Sequence, residues 1–128
     1  FIQPTIDVEK GELVNDMPGS SVEELRLPLR WTAILAKRVP LDLCLSTGVH
    51  TGADVARAVL AGASAVQVAS VVLEKGLPQV SAICNDLKTW MDAKKHKDLA
   101  AFRAKLASVN LPDPFAFERA QYVRKLIG

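Results

Sequence analysis

The chain has 128 residues, of which 49% are hydrophobic, and its 16 basic and 14 acidic side chains leave a net charge of +2. That content suits one modest core in a single domain and excludes a disordered tail. The two signs are mixed along the chain, which argues against a dedicated nucleic-acid surface, and charges interrupt the apolar runs well short of the roughly eighteen residues a membrane span needs.

The opening FIQPTID has neither a charged nor an apolar leader region, and Phe1 reads as an internal cut. Cys44 and Cys84 lie far apart without paired ligand spacing, so neither a disulfide framework nor a zinc site is expected; both read as small core residues in a reducing cytoplasm. No metal site is expected.

In chain order, residues 1–19 read as a long loop with one short strand near Thr5 to Val8, punctuated by Pro4, Gly11, Pro18 and Gly19. Ser21-Val22-Glu23-Glu24 is a capping box, and Pro28 is tolerable only if a helix begins, or begins again, near it. The spacing then predicts a helix to about Lys37 with Leu25, Leu29, Ile34 and Leu35 inward. Leu41, Leu43 and Leu45 alternate with Asp42, Cys44 and Ser46, the period of a strand.

Thr51 is placed to cap the next helix, with Asp54 three positions on, and Gly62 to end it. Ala65 to Ala69 reads as a second strand, so the order strand, helix, strand implies a parallel unit with a right-handed crossover. A short helical turn over Val71 to Lys75 should stop at Gly76, and Pro78 opens a helix with Val80, Ile83, Cys84, Leu87, Trp90 and Met91 on one face. Trp31, Trp90 and Met91 read as core packing. Lys94-Lys95-His96-Lys97 reads as the solvated, dipole-compensating end of that helix. A further helix is expected from about Asp98 to Ala107 with Leu99, Phe102 and Leu106 inward, and one last short helix within Phe115 to Ile127.

Two strand ends carry small residues, Ser46-Thr47-Gly48 and Ala69-Ser70. In a parallel α/β fold both loops open on one face, where small residues let backbone N–H groups approach an anion and helix N-termini point at it. The implied ligand is a phosphate group. On this physics alone a purely structural strand–helix–strand unit stays equally open, because a tight turn needs Gly anyway.

STGVHTGADVARAVLAGASAVQVAS resembles the final phosphate-binding stretch of class 1 dihydroorotate dehydrogenases, where a Gly-Gly-Val/Ile turn, Ser/Thr-Gly, an Asp and Ala-Gly-Ala precede Val-Gln-Ile-Gly-Thr. ELRLPLRW at Glu24 to Trp31 and DPFAFERAQY at Asp113 to Tyr122 resemble bacterial dihydroorotate dehydrogenase-like proteins. The resemblance implies the C-terminal portion, the last two to three βα units, of a TIM (β/α)₈ barrel, of which a whole example needs about 250 residues. Residues 1–19 would be a loop on the active-site face, 20–76 the βα units with their phosphate loops, and 77–128 C-terminal helices.

It also implies FMN as cofactor, its phosphate held by the backbone of Thr47 and Gly48 and of Ala69 and Ser70. Ser20 and Ser21 stand where the family often has a contacting Gly. Thr47 replaces the first family Gly, which is tolerable at negative φ; Ala69-Ser70 replaces Gly-Thr; Arg103-Ala104 replaces Arg-Gly on what reads as a surface helix turn. The family's proton-accepting Cys or Ser and its flavin-side lysine are expected upstream of Phe1, so no catalytic residue is expected here. The parent would be a cytoplasmic homodimer oxidising dihydroorotate or a similar small molecule in pyrimidine biosynthesis, without nucleic-acid or membrane partners. His50 reads as a surface side chain following its turn outward. Alternatives are another phosphate-binding barrel enzyme, or a non-catalytic half-barrel assembly module.

Overall fold

The computed structural model describes residues 5–14 and 19–119. The chain opens with an antiparallel hairpin, β1 (Thr5–Asp7) against β2 (Glu12–Val14), with Ile6 opposite Leu13. The Asp7 carboxylate accepts from the amides of Glu9 and Lys10, and Gly11 takes the left-handed conformation that closes the turn. The sequence suggested a single strand here; the second forms because the Asp7 turn brings Glu12 to Val14 back alongside the first.

A 3-10 turn over Val22–Leu25 leads into α1 (Arg26–Leu35), with the Glu24 carboxylate accepting from the Ser21 amide at 2.6 Å. The restart at Arg26 accommodates Pro28 in the first helical turn, where its missing N–H costs nothing. Leu25, Thr32, Ala33 and Ala36 are buried and Leu29 is packed against the core, but Leu35 is exposed and Trp31, expected inside, is 53% exposed on the outer side of the helix.

β3 (Cys44–Leu45), α2 (Gly52–Ala61) and β4 (Ala65–Val66) form the expected parallel unit, Cys44 paired with Ala65 and Leu45 with Val66. The amides of Ser64 and Gln67 extend the ladder to the carbonyls of Leu43 and Leu45. Only one face of this pair is covered. Leu45 packs with Leu25, Val49, Ala58 and Ala63, with Val66 and Val68 against them, whereas Cys44, Ala65 and Gln67 are exposed on the other side. Cys44 is therefore no core residue, and Leu41 lies outside the paired segment and is 73% exposed. Mixed helices and a small parallel sheet make this an α/β arrangement.

α3 (Ser70–Lys75) ends at Gly76, and α4 (Pro78–Ala93) begins on Pro78 as expected. α4 packs against α2 so closely at Gly52 that a Cβ there would sit 2.3 Å from the Leu87 amide. Ile83 is buried, but Val80 and Cys84 are exposed at the mouth of an apolar cleft between α4 and the β4 side of the core, so Cys84 is not buried either. No helix among the described residues is long and apolar enough to cross a membrane.

The segment 98–107 is a run of turns followed by a 3-10 turn at Ser108–Asn110, rather than the expected helix. Its amides are claimed elsewhere: those of Ala104 and Leu106 donate to the carbonyls of Val59 and Leu60, both at 2.9 Å, in the last turn of α2. Both are among the last carbonyls of α2, which lack a partner four residues on within the helix, although that of Val59 also accepts from the Gly62 amide at 3.0 Å. Ala104 is left-handed at φ 58° and buried against Ala36 and Ala107, so the Arg103-Ala104 step is a buried junction and not a surface helix turn. Phe102 is fully buried, edge-on to Trp90 and stacked on the His96 ring, so His96 belongs to an aromatic cluster as well as to the basic helix end.

Helical backbone resumes over 114–119, its start capped by the Asp113 carboxylate accepting from the Ala116 amide. Arg30 donates to the Glu118 carbonyl and Arg38 pairs with the Glu118 carboxylate, which ties this segment to α1 and the turn after it. The rest of the expected last helix, 120–127, lies outside the described residues.

The turn geometry makes opposite demands on two leucine-spaced positions. Phe102→Ala should cost about 3–5 kcal/mol in urea unfolding of the full-length protein, while Leu106→Ala, exposed here but inward on a helix, should stay within about 0.5 kcal/mol. Comparable losses at both sites would restore the helix.

Candidate functional site

Because β3 and β4 run parallel, the loops that follow them leave the same edge of the sheet. Thr47 and Gly48 lie in the first loop with φ of 83° and 75°. A Cβ on Gly48 would fall 2.5 Å from the Leu25 backbone nitrogen, so this position has both a conformational and a steric reason to be Gly. Thr47 does not have the negative φ expected of it. It holds a left-handed conformation where the resembling family has Gly, and the strain of its β-carbon is retained.

A third loop, just before α1, closes over these two. A Cβ on Gly19 would be 2.8 Å from the Ser70 Cβ, so the chain is pressed against the start of α3. The Ser20 amide donates to the Ser70 hydroxyl at 2.7 Å, the two hydroxyl oxygens are 3.0 Å apart, and the Gly48 amide donates to the Ser20 hydroxyl at 3.1 Å. Gly48 and Ser70, from consecutive strand exits, thus both contact one oxygen atom.

His50 turns inward, contrary to expectation: its Nε2 is 2.6 Å from the Ser20 carbonyl oxygen. A carbonyl only accepts, so Nε2 carries the proton in this contact. Ser21 stays apart from the cluster, exposed and with its amide held by Glu24. Ala69 is exposed, and its carbonyl accepts from the amides of Val72 and Leu73 in the first turn of α3. Among the described residues the amides of Thr47, Ala69, Ser70 and Val71 find no acceptor.

Asp54 holds the first loop from behind. The residue is 1% exposed; Oδ2 accepts from the amides of His50 (3.1 Å) and Thr51 (2.9 Å) and from the Thr51 hydroxyl (2.8 Å), while Oδ1 accepts from Arg57 at 2.5 Å. Burial pushes its pKa up, but the Thr51 hydroxyl, the two amides and the Arg57 charge outweigh burial and hold it below the ordinary 3.8. The sequence signalled Asp54 only as a helix cap; that the same carboxylate fixes the His50 amide follows from the loop's fold. No group of three or more His, Cys, Asp or Glu side chains suited to a metal occurs among the described residues.

The cluster offers a compact set of N–H and O–H donors at the outlets of two parallel strands, with His50 engaged in holding the Ser20 carbonyl. That is chemistry for an oxyanion, and the small residues at Gly48, Ala69 and Ser70 allow close approach.

No family model matches the chain. It is 38% identical over 63 residues to the probable dihydroorotate dehydrogenase A (fumarate) of two strains of Streptococcus pneumoniae. The matched stretch takes in 49% of this chain and 20% of each relative, so the chain spans about a fifth of the curated relatives' length. The similarity supports a distant relationship to the dihydroorotate dehydrogenases, and through them to an oxidoreductase.

Two consequences are measurable. Asp54→Asn should cost about 2–3 kcal/mol near neutral pH, since it removes hydrogen bonds to a charged group. Because folding depresses this carboxyl, its stabilisation is full above 3.8 and drains away as pH falls below it, so wild type and variant should converge in acid when unfolding is followed across pH. Thr47→Gly should raise the unfolding midpoint, by roughly 0.5–1 kcal/mol of stability, as the left-handed strain is relieved against the added freedom of the unfolded chain.

Proposed function

We propose that this chain is the C-terminal portion of an FMN-dependent (β/α)₈ barrel oxidoreductase, a cytoplasmic dihydroorotate dehydrogenase-like enzyme, and that it holds the cofactor's phosphate. Thr47, Gly48, Ala69 and Ser70 supply the backbone donors and the Ser70 hydroxyl adds another, whereas Ser21 stays outside the set with its amide on Glu24. The observation that carries this is the meeting of Gly48 and Ser70 at one oxygen, with free amides at Thr47, Ala69, Ser70 and Val71 beside them. A phosphate group demands such a set, and the sequence similarity points to the same class.

FMN, when bound, would accept the hydride taken from a dihydroorotate-like substrate. The contribution of these residues is placement: fixing the phosphate end of the cofactor orients the flavin ring without any proton transfer by this segment. The bare face of the β3–β4 pair, where Cys44, Ala65 and Gln67 are exposed, is the face that a barrel would turn to its interior. The whole enzyme would act as a homodimer on a small molecule, without nucleic-acid or membrane partners.

The full-length protein should purify yellow and lose its flavin colour anaerobically when dihydroorotate is added. Ser70→Asp, which sets a like charge against the phosphate, should weaken FMN binding about 100-fold or more by fluorescence titration while the far-UV circular dichroism is unchanged. A colourless protein that binds a sugar phosphate through the same residues would instead assign the loops to a different barrel enzyme.

A further inference from the structure

We infer that the Ser20 hydroxyl occupies the anion position of this site and competes with the ligand for its donors, so that Ser20 sets how tightly the site binds. The inference rests on the phosphate reading above and deepens it. The Ser20 oxygen lies 3.1 Å from the Gly48 nitrogen and 3.0 Å from the Ser70 hydroxyl oxygen, the distances a phosphate oxygen would take to the same two groups.

The side chain does not rest there loosely. The Ser20 amide donates to the Ser70 hydroxyl at 2.7 Å, and its carbonyl accepts from His50 Nε2 at 2.6 Å, so the backbone is fastened at both ends of the residue. Gly19 leaves the loop no room to retreat toward α3 without contact, since even a methyl group there would meet Ser70 and Glu74. An incoming anion therefore gains the Gly48 amide only when the Ser20 hydroxyl rotates away about its Cα–Cβ bond, a movement that leaves the backbone fastening intact. Neighbouring Ser21 has no such role, because its amide is engaged by Glu24.

Removing the hydroxyl should therefore improve the site, an outcome that ordinary structural damage does not produce. In the full-length protein, Ser20→Ala keeps both backbone contacts of residue 20 and frees the Gly48 amide. Hydrogen exchange of that amide, measured without ligand, should become faster. FMN affinity, measured by fluorescence titration of protein stripped of flavin, should increase about two- to tenfold, the factor to which the net worth of one hydrogen bond converts. Inorganic phosphate should compete more effectively with FMN in the variant.

Faster exchange with unchanged or weaker FMN binding would overturn the competition while leaving the phosphate reading in place. Unchanged exchange would overturn the hydroxyl's hold on Gly48 whatever the ligand does. If neither wild type nor Ser20→Ala bound FMN or phosphate, although the amide had been released, the phosphate reading itself would fail and the inference with it.

Discussion

A buried carboxylate must have its oxygens met by donors or it does not stay ionised, and Asp54 meets that condition by shaping the chain around itself. Four donors from His50, Thr51 and Arg57 converge on its two oxygens. Since two of them are consecutive backbone amides, satisfying the charge also fixes the path of the loop between β3 and α2. That path puts Val49 into the core beside Leu25 and Leu45 and brings the Gly48 amide to Ser20. The other end of α2 is fixed differently, by the amides of Ala104 and Leu106 on its last carbonyls. The helix between the two strands is thus anchored at its start by a charge and at its end by backbone from a distant segment.

What was legible in the sequence follows from how far each determinant lies from the residue it governs. Thr51 with Asp54, Gly62, and the Gly76 to Pro78 stop and restart are decided within a few positions, and all appear where the local chemistry puts them. The parallel pairing was legible too, because a helix of this length between two short strands leaves little alternative. The turns at 98–106 were not. Leu99, Phe102 and Leu106 have helical spacing, yet the amides of 104 and 106 find better acceptors on α2, more than forty residues away in sequence. Period alone says nothing about such competition.

The same limit explains the misplaced cysteines and the inward histidine. Alternation along Leu43, Cys44 and Leu45 separates two faces but does not tell whether both will be covered, and in the event only the leucine side is. His50 follows a turn whose direction is set by Asp54, so nothing adjacent in sequence announces that its ring will reach the Ser20 carbonyl. Of the two candidate serines before α1, the capping box withdraws Ser21 and leaves Ser20 to face the loops. That consequence of the box is visible only once the third loop is in place.

Thr47 and Ala104 share a property with separate consequences. Both are left-handed residues with side chains, standing where the resembling family has Gly. At Ala104 the methyl group is buried against Ala36 and Ala107, so packing offsets part of the backbone strain. At Thr47 the strained residue borders the donor cluster, on the loop that the Asp54 carboxylate fixes from behind. The Ser20, Ser70 and Gly48 contacts form one polar knot. The amides of Thr47, Ala69, Ser70 and Val71 are different: they lie beside the knot without acceptors among the described residues. Those of Ala69, Ser70 and Val71 belong to the first turn of α3, whose N–H groups have no partner within the helix.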